Sequence, residues 1–304
     1  MFYRYKKNRL WFSLISFIII VFSGASQANS TNSHQPSKNV FLHARLTPRA
    51  ADLKEGVTWR IYALPETGEE NALKLITVMR GGTIALQLLP EQTYFVCATF
   101  GRAAALKNIV VKKNEPYFGD FILNAGAVRV TPLIAGGEGG DPLQHISLTL
   151  YQKTKQAGQK SLLILQNAEI NKPLRLSAGQ YTLIAKYGEG NAEKRGDFTV
   201  QAGTINNIRV KFKAATISFK LTHAAGGNAL ADTSWQIIDD LGNVVFKTVG
   251  AYVSAVLAEG HYVAVATNKE HIFHHDFNVV SGVNQQVEVL MQQQPDSFED
   301  YSID

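Results

Sequence analysis

Leu89-Pro-Glu-Gln-Thr-Tyr94-Phe-Val-Cys-Ala98 is repeated, with changes, as Leu176-Ser-Ala-Gly-Gln-Tyr181-Thr-Leu-Ile-Ala185 and as Leu257-Ala-Glu-Gly-His-Tyr262-Val-Ala-Val-Ala266. The tyrosines stand 87 and 81 residues apart. A period of that size is too long for a solenoid repeat and right for small domains in tandem.

The likeness extends outward from the tyrosine segment. Early in each unit, large apolar residues alternate with polar ones: Trp59, Ile61 and Tyr62; Leu148, Leu150 and Tyr151; Trp235, Ile237 and Ile238. Alternation of period two places one face in a core and one in water. A second strand follows at Leu75–Met79, Leu162–Leu165 and Val244–Phe246, and a third at Ile84–Leu88, Leu174–Leu176 and Val253–Val256. Phe198–Val200 and Ile205–Phe212 close the second unit, and Phe277–Val279 and Val287–Leu290 close the third. Glycine, asparagine, aspartate and proline punctuate these runs every 8–15 residues. Ala103–Lys107 and Asn191–Arg195, where a helical turn would be weighed, read as loops.

Seven short strands per unit is the count of an immunoglobulin-like sandwich. The chain is therefore expected to be all-β, with three tandem immunoglobulin-like β-sandwich domains over 39–126, 127–214 and 215–292. The tyrosine segment reads as a tyrosine corner, the phenol reaching back to the backbone of the preceding turn. Gly179 and Gly260 would supply a positive φ in that turn; the first unit has Gln92 there and Pro90 beside it. The junctions around Asn124–Val128 and Lys213–Thr216 are so short that a semi-rigid rod is expected.

The Leu-x-x-Gly-x-Tyr segment, followed by alternating apolar residues and an alanine, resembles the penultimate-strand motif of bacterial prealbumin-like sandwiches: carboxypeptidase-regulatory-like, PEGA and CNA-B domains. The resemblance covers about ten residues per unit. It implies the sandwich fold and the class of non-catalytic modules of exported proteins, and it transfers no functional residue.

Arg4, Lys6, Lys7 and Arg9 precede an apolar run from Leu10 to Phe22, and Ser26-Gln27-Ala28 offers a cleavage site. This is the pattern of a secretory signal peptide over 1–28. The alternative is a retained anchor, although the run is 13 residues against the roughly 20 that span a bilayer. Removing the signal's four positive charges from the formal +5 leaves +1, so no basic stripe suggests nucleic acid. After cleavage no membrane span is expected. Residues 29–38 form a polar linker in which Asn29-Ser30-Thr31 is a lone glycosylation pattern. Residues 293–304 read as a disordered acidic tail carrying Asp296, Glu299, Asp300 and Asp304, with Phe298 and Tyr301 as its apolar anchors.

Candidate chemistry is sparse. Cys97 is the sole cysteine. It aligns with Ile184 and Val265, which suggests a buried packing position rather than a reactive thiol. His271, His274, His275 and Asp276 form the one histidine cluster. On a strand His271 and His275 share a face and bracket Phe273, a poor arrangement for zinc, which wants three or four convergent ligands. A polar edge strand is the reading, with a metal site or pH-responsive patch as rival. Gly136-Gly-Glu-Gly-Gly140-Asp141 lacks the Lys-Ser/Thr of a phosphate loop and matches the Ala225–Asn228 loop of the third unit. Neither Gly-x-Ser-x-Gly nor His-Glu-x-x-His occurs. No catalytic, cofactor-binding or metal residue is assigned, and no cofactor is expected.

The expected function is a non-enzymatic interaction or scaffold module of the bacterial envelope, periplasmic or secreted, with a protein partner. The rivals are a carbohydrate-binding or accessory module, which would need Trp59 or Trp235 exposed, and an enzyme with a site at a domain junction.

Overall fold

A computed structural model describes residues 38–64, 73–135, 145–154 and 161–291. The expected signal peptide, all but Lys38 of the linker, the Gly136–Asp141 loop and the acidic tail lie outside the described residues. Residues Lys38–Asp304 belong to one compact unit.

Among the described residues the elements are strands throughout, seven per domain. The first domain holds β1 (Val40–Arg45), β2 (Thr58–Ala63), β3 (Lys74–Arg80), β4 (Thr83–Leu86), β5 (Gln92–Phe100), β6 (Ala103–Val111) and β7 (Tyr117–Ile122). The second holds β8 (Ala125–Ile134), β9 (Ile146–Gln152), β10 (Leu162–Leu165), β11 (Leu174–Ser177), β12 (Gly179–Tyr187), β13 (Glu193–Val200) and β14 (Ile205–Phe212). The third holds β15 (Ala214–Thr222), β16 (Ser234–Asp239), β17 (Val244–Val249), β18 (Tyr252–Ala258), β19 (Gly260–Asn268), β20 (His271–Val279) and β21 (Gln285–Leu290).

Each domain packs a three-stranded sheet on a four-stranded one. The orders are β4-β1-β7 and β3-β2-β5-β6 in the first domain, β11-β8-β14 and β10-β9-β12-β13 in the second, and β18-β15-β21 and β17-β16-β19-β20 in the third. All pairings are antiparallel except one per domain: first and last strands pair in parallel, as Val40 with Tyr117, Ile205 with Ala127 and Ile217 with Gln285. The chain is thus an all-β array of three tandem immunoglobulin-like sandwiches.

Two stretches expected to be loops are strands. Ala103–Lys107 lies in β6 and Glu193–Arg195 in β13. Their composition has weak strand propensity, but hairpin pairing to β5 and β12 supplies the ladder that propensity lacks.

The alternating pattern reads correctly on the core face. Trp59, Leu148 and Trp235 are fully buried at equivalent places. The two indoles donate to the carbonyls of Gly81 (2.7 Å) and Gly250 (2.9 Å), so the only polar atom of each ring is satisfied. Neither ring is a platform for a sugar.

The corner tyrosines pin the crossing between sheets. Tyr181 Oη donates to Ser177 O at 2.8 Å and Tyr262 Oη to Ala258 O at 2.9 Å. Tyr94 reaches one residue further, to the N–H (3.1 Å) and carbonyl (3.3 Å) of Leu89. Burial raises all three phenols above their ordinary pKa, so they stay protonated donors. The expectation of a positive φ is met at Gly179 and corrected at Gly260. Gly179 has φ 159°, whereas Gly260 has no positive φ. In the first domain the left-handed residue of this turn is Glu91, φ 60°. A Cβ on Gly260 would stand in ordinary van der Waals contact with the Tyr262 ring, at 3.6 Å.

The third domain also contains a largely buried ion pair, Lys220 Nζ to Glu288 Oε1 at 3.0 Å. Thr222 Oγ1 and Gly226 N donate to the same carboxylate oxygen at 2.9 Å. The bonds to Lys220 and then Thr222 hold the Glu288 carboxyl below the usual range.

Two outcomes follow from these bonds. Tyr181→Phe should cost about 1 kcal/mol in chemical denaturation, because a semi-buried carbonyl loses its donor. A depressed carboxyl stabilises above its unfolded pKa, and that contribution disappears as pH falls through the folded value. Glu288→Gln should therefore lower the third domain's denaturation midpoint at pH 7, and the difference from the unsubstituted chain should shrink as pH falls below the unfolded carboxyl's range.

Candidate functional site

The most elaborated surfaces are the domain junctions, and both are built by the same register. Seven residues beyond each corner tyrosine stands a left-handed turn residue: Gly101 at φ 63° and Gly188 at φ 64°. Each meets the residue six before the next domain's corner tyrosine, Arg175 or Val256. A Cβ on Gly101 would stand 2.6 Å from Arg175 Cβ, and one on Gly188 would stand 2.3 Å from Val256 Cγ2. Any side chain at either position would force the neighbouring domain away.

Polar bonds fix what the glycines permit. At the first junction Arg102 N donates to Arg175 O (3.0 Å), and the Arg175 guanidinium lies 4.4 Å from the Phe100 ring centroid. At the second, Val256 N donates to Glu189 O (2.7 Å) and Glu259 N to Lys213 O (3.0 Å). Asn191 uses both ends of its amide: Oδ1 accepts from Ala258 N and Nδ2 donates to Tyr262 Oη, both at 2.9 Å. The corner of the third domain is thus held by a side chain of the second. Val256 itself is packed in the second domain's core.

A cleft of about 720 Å³ opens beside this second junction. Polar groups from both domains line it, among them Ser147, Asn167, Glu189, Thr216 and Ser254. A second cleft, about 470 Å³, lies within the second domain between β13 and β14, with Leu183, Gly196 and Ile208 inside and Lys194, Arg209 and Lys211 around it.

The residues singled out in the sequence are dispersed. Cys97 is not a core residue. On β5 it falls between buried Val96 and Ala98, on the outer, half-buried face beside Arg60 and Leu106. Tyr94 sets the inward phase, so every second residue from it faces the core and Cys97 cannot. Burial raises its thiol above the ordinary value and Arg60 opposes this, so no reactive thiolate results. His271 and His275 share the inward phase with Phe273 on edge strand β20 but remain solvent-exposed, while His274 and Asp276 take the outer phase. Among the described residues no three of His, Cys, Asp and Glu gather as metal ligands.

Sequence reading missed a different histidine. His261 Nδ1 lies 2.9 Å from Asp240 Oδ1, and its Nε2 lies 3.8 Å from Asp276 Oδ1. The group is open to solvent and lies in neither cleft, so nothing there holds a substrate against the imidazole. The junction glycines were missed as well, although the spacing from the corner tyrosine repeats in the sequence and would have shown them.

Among the described residues no helix is long and apolar enough to cross a membrane. Residues 216–291, nearly the whole third domain, match the model of the Rhizobiales growth-associated tandem repeat domain. No curated protein matches the chain. Among solved structures it is similar to the Bacillus anthracis TIE protein (18% identity, 83% of this chain and 50% of that one, TM-score 0.24). It is similar also to GBS52, the minor pilin of Streptococcus agalactiae (15% identity, 58% and 95%, TM-score 0.29). A streptococcal ancillary pilin gives 11% identity, coverage of 84% and 99%, and a TM-score of 0.26. The chain spans about half the length of the TIE protein.

Proposed function

We propose that this chain is an exported, non-enzymatic scaffold or interaction module of the bacterial envelope, periplasmic or secreted, that presents its surfaces to a protein partner at fixed spacing. The observation that carries the reading is the repeated junction. A glycine seven residues after one corner tyrosine packs on the residue six before the next, and backbone bonds lock the contact. A chain that only linked two activities would not need glycines placed against a neighbouring domain. The basic and apolar N-terminal pattern of residues 1–28 supports export.

The third domain supplies the control. Its equivalent turn carries Lys269 at φ 56°, and among the described residues no domain packs on it, so lysine is compatible with the turn itself. Gly188→Lys should leave each sandwich folded and displace the third from the second. Trypsin cleavage around Lys211 and Lys213 should then rise severalfold, and cross-linked recovery of the envelope partner should fall. Recovery unchanged by the loosened junction would overturn fixed spacing as the basis of function. A catalytic turnover abolished by one substitution on an intact fold would overturn the non-enzymatic reading.

The polar cleft at the second junction favours a second reading, a module for a hydroxyl-rich ligand such as a glycan. Envelope glycans that protect the Lys211–Lys213 segment from trypsin would carry it, and glycans without effect on cleavage would remove it.

A further inference from the structure

The cleft in the second domain is a vacancy created by one residue. The strand pairings place Lys107 opposite Val96, Gly196 opposite Leu183 and His275 opposite Ala264, each two residues beyond the corner tyrosine's own partner position. These are the same position in three domains. In the first domain Lys107 crosses the open side of the sandwich: its Nζ donates to Asp120 O and lies 5.3 Å from the Phe121 centroid. In the second domain the position is glycine, and a Cβ built there would meet nothing within 4 Å.

The vacancy has a definite chemistry. Its interior is apolar, from Leu183, Ile208 and Val210, and Phe198 is stacked on the corner Tyr181 at one end. Its border is cationic. Lys194, Arg209 and Lys211 make no ion pair among the described residues, and Arg195 stands with them. The one carboxylate among the described lining residues, Asp197, is already bonded to Lys153 and to Thr182 Oγ1. An apolar slot rimmed by cations that have no ion-pair partner among the described residues takes a segment that offers an aromatic side chain between carboxylates.

This chain contains such a segment. Gln292–Asp304 has four carboxylates, no lysine or arginine, and Phe298 and Tyr301 among the acids. The parallel β15–β21 pair carries the chain out of the third domain at the end remote from the second. The way back along β15 alone is about 30 Å. Phe298 stands eight residues past Leu290, a reach of at most about 28 Å when fully extended. Phe298 therefore does not reach the slot of its own copy, so the two aromatic residues cannot both be seated there within one chain.

We infer that the slot between β13 and β14 of one copy receives the acidic aromatic tail, residues 292–304, of a second copy. The contact is heterologous: tail and slot are different surfaces, so copies would associate head to tail. It is independent of the scaffold reading, whose test at Gly188 has a different readout.

The test is fluorescence anisotropy of a labelled synthetic peptide, Gln292–Asp304, titrated with the full chain at concentrations where sedimentation shows a monomer. Saturable binding is expected. It should weaken at least tenfold when Phe298 and Tyr301 of the peptide are replaced by serine, and tenfold in the charge-reversed variant Arg209→Glu with Lys211→Glu. The decisive variant is Gly196→Lys, which copies the plug of the first domain into open space, with folding verified by an unchanged melting curve. It adds a positive charge yet should abolish binding, because the slot is filled. Binding equal to or tighter than wild type in Gly196→Lys, equal binding of the serine peptide, or no saturable binding would each overturn the proposal.

Discussion

The parallel pairing of first and last strands governs the rest of this structure. Because β1 and β7 run the same way, the chain enters a sandwich at one end and leaves at the other. The same holds for β8 with β14 and for β15 with β21. Parallel neighbours need a long crossover, and here the crossover is the remainder of the domain. β7 ends at Ile122 and β8 begins at Ala125, while β14 ends at Phe212 and β15 begins at Ala214. With two residues or fewer between strands, neighbouring domains are forced into contact.

Given that contact, the surfaces had to be shaped for it. The turn between the fifth and sixth strands projects toward the next domain, and only glycine lets its backbone come close enough. The second junction adds Asn191, which bonds the backbone and the corner hydroxyl of its neighbour together. The corner tyrosine thus has two roles in the third domain. It pins two sheets within the domain and anchors the domain to the preceding one. Surface ion pairs such as Lys186–Glu193 add little to this, since exposed pairs contribute near zero in water.

Divergence among the three domains is concentrated at positions the shared pattern does not constrain. The core position filled by Trp59 and Trp235 accepts Leu148, a change of volume within one chemical class. The position filled by Lys107, Gly196 and His275 sits on the open side of the sandwich, where no core must be filled. There the substitution alters what the domain offers to other molecules.

The sequence by itself determined the class of fold, the threefold repeat and the corner tyrosines, because those depend on period-two alternation and on residues a few positions apart. It also determined that Trp59 and Trp235 are core, through their equivalence to Leu148. It misassigned Cys97 because alignment of apolar residues across repeats does not tell which face of a strand they occupy. It misassigned Ala103–Lys107 and Glu193–Arg195 because their pairing comes from the neighbouring strand and not from their own composition. The glycine contacts, the Asn191 bond to Tyr262, the Asp240–His261–Asp276 group and the open slot at Gly196 were decided only by tertiary structure. Each joins residues from different strands or domains, and their meeting depends on how the sheets cross and how one sandwich seats on the next.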